Sequence, residues 1–178
     1  MGDHIISVES EKPAATLRTP TTKDAPHIWR LVEESGVLDP NSSYLYLLLC
    51  RDFANTCLVA CHGKNVVGFV TAYRMPHDPS ILFVWQIGVA PEAQRQGIAM
   101  RLLRELIERC GSTSIKAIEA TVAPSNIASQ RLFESLAQSH GVQLIEKPED
   151  GFDASDFPPG DHEAEPRIRV ELSNAAEI

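Results

Sequence analysis

The sequence predicts an α/β (α+β) fold: a central sheet flanked by helices, with elements in the order β-α-α-β-β-β-α-β-α-β-β. Three observations carry that reading. An apolar run at 81–89 meets a turn at Ala90-Pro91, then the glycine-bearing stretch Gln94-Arg95-Gln96-Gly97-Ile98-Ala99, then a long helical pattern. On a 3.6-residue wheel Ile98, Ala99, Leu102, Leu103, Leu106, Ile107 and Cys110 share one half, while Arg101, Arg104, Glu105, Glu108 and Arg109 share the other. Elsewhere, short apolar runs bounded by turn residues alternate with helical periods, and no internal repeat is visible. Finally, 178 residues at 43% hydrophobic and 22% charged composition are enough for one domain with a substantial core.

Taken in order, residues 1–15 are polar, carry Pro13 and lack periodicity, so a flexible tail is expected ahead of a single domain at 16–172, with a second tail at 173–178. Residues 16–19 form a short first strand. Pro20-Thr21-Thr22 leads into a helix over 23–34, with Thr22 as N-cap, an apolar stripe of Ile28, Trp29, Leu31 and Val32, and Gly36 as the stop. Asp39-Pro40-Asn41-Ser42 is a turn and cap cluster. The helix that follows, within 42–53, is apolar nearly all round, which predicts cover from a second subunit, hence a homodimer.

Residues 56–62 and 66–74 read as a hairpin about Gly63-Lys64-Asn65, 75–80 as a loop and 81–89 as the central strand. Beyond the amphipathic helix, 117–122 is a strand. Pro124-Ser125-Asn126 opens a helix over 127–140 that turns Ala128, Leu132, Phe133, Leu136 and Ala137 inward, and 142–146 is a further strand. Residues 148–166 gather Asp150, Asp153, Asp156, Asp161, Glu163 and Glu165 among prolines and glycines. An acidic loop of that length is expected to be functional. Residues 167–172 alternate as the last strand.

The formal net charge of −8 argues against a nucleic-acid surface and against anionic lipid, and suits a small cationic substrate as well as an ordinary acidic enzyme. No apolar run reaches the roughly 18 residues of a membrane span. The start Met-Gly-Asp-His-Ile-Ile has no basic segment of a secretory signal, and Ile6 breaks the myristoylation pattern. Cys50, Cys57, Cys61 and Cys110 lie in apolar segments, so buried thiols in the cytoplasm are expected rather than disulfides. The histidines make no ligand spacing, and no metal is expected.

A strand that feeds a glycine loop at a helix N-terminus presents unpaired N–H groups and the positive end of the helix dipole, a setting for a pyrophosphate. The spacing is neither G-x-x-x-x-G-K-[ST] nor G-x-G-x-x-G. It is Q-x-x-G-x-A, and it resembles the acetyl-CoA pyrophosphate loop of the GCN5-related N-acetyltransferase (GNAT) superfamily. The element order over 16–172 is also that of the superfamily, which implies a GNAT-type mixed central sheet. The resemblance implies acetyl-CoA as co-substrate, held by Gln94, Arg95, Gln96, Gly97, Ile98 and Ala99. It also implies main-chain N–H groups near Ile87, Gly88 and Val89 facing the thioester, and a coenzyme contact at Asn126, whose alternative is a simple helix cap.

Within the superfamily four stretches resemble the diaminobutyrate acetyltransferases of ectoine biosynthesis. They are Leu38-Asp39-x-Asn41-Ser42-x-Tyr44-x-Tyr46, Phe83-Val84-Trp85-Gln86-Ile87-Gly88-Val89, Thr121-Val122-x-Pro124-Ser125-Asn126-x-Ala128-Ser129, and Phe157-Pro158 with His162-Glu163-x-Glu165. The resemblance implies acetyl transfer to the γ-amine of a small diamine, with the amine itself as nucleophile. Asp39, Tyr44 and Trp85 are its candidates for the reacting centre, and His162 and Glu165 join them in holding the substrate. Each has a plainer alternative: a turn for Asp39, core for Tyr44 and Trp85, and solvated charge for His162 and Glu165. One departure stands out. Many members carry a Tyr in the last helix that protonates the leaving thiolate, whereas Phe133 stands seven residues after Asn126 here, leaving water or Tyr44 as the proton source. Two other functions compete: an acetyltransferase of another small cationic amine, and a non-catalytic acyl-CoA sensor.

Overall fold

The structure, a computed structural model, describes residues 14–111, 114–160 and 162–172. The tails expected at either end lie outside it, except for Ala14 and Ala15. Ala15 is buried, and its carbonyl accepts a bond from Arg101 Nη2 at 2.7 Å. The elements are β1 (Thr16–Arg18), α1 (Ala25–Ser35), α2 (Ser43–Arg51), β2 (Cys57–His62), β3 (Asn65–Met75), β4 (Asp78–Val89), α3 (Ile98–Arg109), β5 (Ala117–Thr121), α4 (Ile127–Ser139), β6 (Ile145–Phe152) and β7 (Glu165–Glu171). Their order is the one expected from the sequence.

These strands form one sheet in the order β1-β2-β3-β4-β5-β7-β6, with every neighbouring pair antiparallel except β4 and β5. Helices cover both faces. On one, Ile98, Leu102, Leu103, Leu106 and Ile107 of α3, with Phe133 and Leu136 of α4, pack onto Leu58, Val70, Leu82 and Ile118. On the other, Ile28 and Val32 of α1 and Tyr46 and Leu49 of α2 pack onto Cys57, Val59, Cys61 and Phe69. Each fully buried Leu or Ile contributes about 1.5–3 kcal/mol from water exclusion, so the apolar halves of the helical wheels decide which face each helix turns to the sheet.

The ends of α1 and α2 follow local chemistry. Asp24, not Thr22, occupies the N-cap position of α1, and it makes no side-chain cap bond because its carboxylate is committed to Thr21 N–H at 2.7 Å and to both Nη atoms of Arg18 at 2.8 and 2.7 Å. Arg18 holds the Asp24 carboxyl at about 2, below its ordinary 3.8. Ser42 caps α2 by accepting Tyr44 N–H at 3.3 Å. This helix buries only Tyr46, Leu49 and Cys50, and leaves Tyr44, Leu47 and the following Phe53 exposed.

Two expected loops are strand in part. The β3–β4 hairpin closes at Pro76-His77, so 78–80 belong to β4, held by Ser80 N–H and Oγ donating to Asp78 Oδ1 and by Arg74 donating to Pro79 O. Similarly, the acidic stretch expected as a loop over 148–166 begins as strand, because β6 starts at Ile145 and runs to Phe152. Its register slips between Lys147 and Phe152, so Pro148-Glu149-Asp150-Gly151 bulge from an edge strand that buries neither face. With no buried face there is no alternation of apolar residues to announce a strand. A Cβ on Gly151 would collide with the main chain of β7 at Pro166 and Arg167, so the close approach of the two strands requires glycine there. The four cysteines are buried and free, and burial pushes the thiols of Cys50 to about 12 and Cys57 to about 11. Among the described residues no helix is long and apolar enough to cross a membrane.

Candidate active site

The two parallel strands at the centre of the sheet part company. β4 and β5 are paired only at Ile81–Ala117, Leu82–Ile118 and Phe83–Glu119, although β4 continues to Val89 and β5 to Thr121. Beyond Phe83 the β4 edge that faces β5 therefore has main-chain groups with no strand partner, an edge onto which an extended chain can add. On its other edge β4 bulges: Thr71 faces Gln86 and Ala72 faces Val84, so Trp85 is the extra residue. Trp85 is consequently 47% exposed in a run where Ile81–Val84 and Gln86 are buried.

A cleft of about 570 Å³ opens in that gap. Its floor is Phe83, Trp85, Gln86 and Ile87 of β4 with Thr121 and Val122, one wall is the segment 36–41, and the other is Ser125, Asn126 and Phe133. Phe152, Phe157, His162 and Glu165 roof it. The roof is layered: the His162 ring stacks on Phe157 at 4.8 Å and 9°, and Phe157 meets Phe152 edge-on at 6.4 Å. His162 Nδ1 lies 3.9 Å from Asp39 Oδ2, so the roof meets the 36–41 wall across the opening. Asp39 keeps its carboxylate 61% exposed, with its main-chain carbonyl bonded to Gln86 and Asn41. Glu165 accepts Thr121 Oγ1 at 2.7 Å, and Glu163 accepts Ser125 N–H at 3.2 Å, which ties the roof to β5 and to the start of α4.

At the end of β4 the glycine loop gives α3 an N-terminus that no side chain caps. Arg101 N–H is the first to bond a carbonyl of its own helix, that of Gly97 at 3.0 Å, so the N–H groups of Ile98, Ala99 and Met100 precede the ladder. Gln94, Arg95, Gln96 and Gly97 are exposed, Ile98 anchors in the core, and Gly97 takes φ +72° at the turn. The fit to a pyrophosphate is direct: unpaired N–H groups, the positive end of a helix dipole and no side chain in the way.

Of the residues expected from sequence, the cleft brings together Asp39, Trp85, Ile87, Asn126, His162 and Glu165. Asn126 also caps α4, accepting Ser129 N–H at 3.1 Å. Tyr44 sits elsewhere, 62% exposed on the outer side of α2 and not among the residues lining the cleft. Sequence reasoning gave no role to Gln86, Thr121, Phe152 or Arg167, all of which line it. Gln86 had a signal, a lone amide in an otherwise apolar strand; Arg167 had none. Among the described residues no group of three His, Cys, Asp or Glu side chains is placed to hold a metal ion.

Comparison with known proteins agrees with this geometry. Residues 23–137 match the Acetyltransferase (GNAT) family. The chain is 42% identical over 164 residues to the L-2,4-diaminobutyric acid acetyltransferase of Shouchella clausii, spanning 92% of this chain and 90% of that one. It superposes on the diaminobutyrate acetyltransferase EctA from Paenibacillus lautus, whose structure holds L-2,4-diaminobutyric acid and coenzyme A, with a TM-score of 0.83, 39% identity, and coverage of 89% of this chain and 95% of that one. Ard1 from Thermoplasma volcanium shares the fold at TM-score 0.72 with 16% identity, over 90% of this chain and 99% of that one.

Proposed function

We propose a function from one premise: the chain belongs to the GNAT acetyltransferase family and, within it, to the diaminobutyrate acetyltransferases. It transfers the acetyl group of acetyl-CoA to the γ-amino group of L-2,4-diaminobutyrate, giving N-γ-acetyl-2,4-diaminobutyrate and CoA, a step of ectoine biosynthesis and so of osmoprotection. The observation that carries this reading is the juxtaposition in one cleft of an unpaired β4 edge, on the strand that runs on towards the uncapped α3 N-terminus, with two carboxylates suited to an ammonium.

Acetyl-CoA supplies an activated acyl group on a good leaving thiolate. The chain's contribution is placement and charge. N–H groups at Ile98, Ala99 and Met100, with the loop Gln94–Gly97, hold the pyrophosphate. The main-chain N–H groups of Ile87 and Val89, which alternate away from β3 while that of Gly88 is turned towards Phe69, face the thioester oxygen and stabilise the charge it gains. Asp39, Trp85, His162 and Glu165 hold the diamine, the indole beneath it on the floor and the carboxylates on its ammonium groups. An alkyl ammonium titrates near ~10, so it must lose a proton before it attacks, and a cleft carboxylate or a water it holds accepts that proton. Phe133 is buried against the cleft and has no proton to give, so the departing sulfur takes one from water. Tyr44 has a different role, since with Leu47 and Phe53 it forms the outer face of α2 that a second copy of the chain covers in a homodimer. We place the enzyme in the cytoplasm, where its free thiols stay reduced.

The test is turnover of purified protein with acetyl-CoA and 2,4-diaminobutyrate, beside ornithine, lysine and spermidine, with thiol release followed and the acetylated nitrogen assigned by NMR. Turnover of diaminobutyrate alone, at the γ-nitrogen, is the expected result. Preference for another amine would discard the substrate, and acetyl-CoA binding without turnover of any amine would make the protein a sensor.

A further inference from the structure

Buried polar side chains are costly unless bonded, and among the described residues they are Asp24, Thr71, Gln86 and Glu119. Arginines balance the two carboxylates, and Thr71 donates to a main-chain carbonyl within the sheet. Gln86 differs, because its amide is spent on two segments distant in sequence. Its Oε1 accepts the hydroxyl of Tyr46 on α2 at 2.9 Å, and its Nε2 donates to the main-chain carbonyl of Asp39 at 2.8 Å. Asn41 Nδ2 donates to the same carbonyl at 3.1 Å and reaches the Tyr46 hydroxyl at 3.5 Å. Tyr46 is fully buried, so the network is anchored in the core and ends on a single main-chain atom.

That atom belongs to an irregular stretch. Residues 36–42 lie between α1 and α2 without helix or strand, yet they carry the carboxylate that faces His162 across the cleft. Gln86, by contrast, sits between the bulged Trp85 and Ile87 at the start of the unpaired edge. One amide therefore spans from the strand on which the thioester lies to the loop that presents the amine's carboxylate. We infer that Gln86 is a positioning residue for acetyl transfer: it fixes Asp39 at a set distance from β4, so that the amine Asp39 holds meets the acyl carbon. The inference rests on the reading of Asp39 as a substrate ligand.

The test is Gln86→Met, close in volume and unable to make either bond, measured alone, with Asp39→Asn alone, and with both together. We expect Gln86→Met to raise KM for diaminobutyrate about tenfold and to leave KM for acetyl-CoA within about twofold. In the Asp39→Asn background the same substitution should add almost nothing, because its effect travels through Asp39. A folded Gln86→Met enzyme with unchanged diaminobutyrate KM, an equal rise in both KM values, or an undiminished effect without the Asp39 carboxylate each overturns the inference alone. An unchanged diaminobutyrate KM in Asp39→Asn overturns the reading of Asp39 and the inference with it. Should Gln86→Met not fold, Tyr46→Phe loosens the same network from its other end. A diaminobutyrate-specific rise of about threefold then supports the inference, and a rise shared with acetyl-CoA overturns it.

Discussion

The two sides of the cleft are built from different materials. In the proposed reading the coenzyme side is one continuous stretch, from Ile87 through the glycine loop into α3, and it works through main-chain N–H groups that any sequence of the right shape could present. The amine side, in the same reading, is assembled from side chains far apart in the chain: Asp39 from the α1–α2 connection, Trp85 from a bulge, His162 from the segment before β7 and Glu165 from its first residue. A backbone site tolerates side-chain change as long as the turn is kept. A side-chain site fails when one atom is lost. The two halves should therefore respond in opposite ways to conservative and to backbone-directed substitutions.

The largest effect belongs to the amine side. Asp39→Asn keeps the shape and removes the charge, and kcat/KM for diaminobutyrate should fall about a hundredfold while acetyl-CoA affinity, read by fluorescence or calorimetry, stays put. The mirror experiment is Gly97→Glu, which sets a negative charge at the α3 N-terminus and an L-residue at φ +72°. We expect KM for acetyl-CoA to rise about tenfold with diaminobutyrate KM unchanged. If either variant moved both constants together, the division of labour would be wrong.

The same division explains what could be read before the structure. The strand, glycine loop and helix were legible because they are adjacent in sequence, so spacing and a helical wheel pointed to an anion site at the α3 N-terminus, while the coenzyme itself came from the resemblance of Q-x-x-G-x-A. Helix faces and the order of elements along the chain were legible for the same reason, since Leu102, Leu106 and Ile107 on α3 are a matter of local period. The amine side was not readable from period or spacing. Asp39, His162 and Glu165 were found through resemblance, and nothing local says that residue 162 stacks on Phe157 and reaches residue 39. The edge strand β6 was missed beyond Glu146 because a bulged strand with neither face buried carries no alternation. Gln86 stood in plain sight, but its partners at 39 and 46 are some forty residues away.

A control separates stability from either half. Asp24 lies outside the cleft, and its carboxyl is held at about 2 by Arg18, below the ordinary 3.8. A depressed carboxyl contributes stability that is fully present above about pH 4 and is lost as pH falls towards 2. Asp24→Asn should cost roughly 1–2 kcal/mol at neutral pH, and less at acid pH, by thermal or urea unfolding. Both KM values should be untouched. A change in only one of them would mean that the α1 end communicates with one side of the cleft.

The smallest effect tests how finely the amine side is tuned. Thr121 sits at the end of β5, just past the point where β4 and β5 separate, and its hydroxyl donates to Glu165 at 2.7 Å. Thr121→Val preserves β-branching and volume, so β5 should keep its pairing with β7, but Glu165 loses the donor that aims it. The lost bond aims Glu165 and does not itself touch the amine, so only part of its worth reaches binding, and the expected rise in diaminobutyrate KM is about threefold to fivefold. Glu163 would still tie the roof to Ser125, so acetyl-CoA binding should not change. A threefold effect confined to the amine would mean that Glu165 is aimed by a neighbour on the sheet, as Asp39 is by Gln86. No effect at all would leave Glu165 positioned by its own strand, and would make the amine side less dependent on supporting side chains than the coenzyme comparison implies.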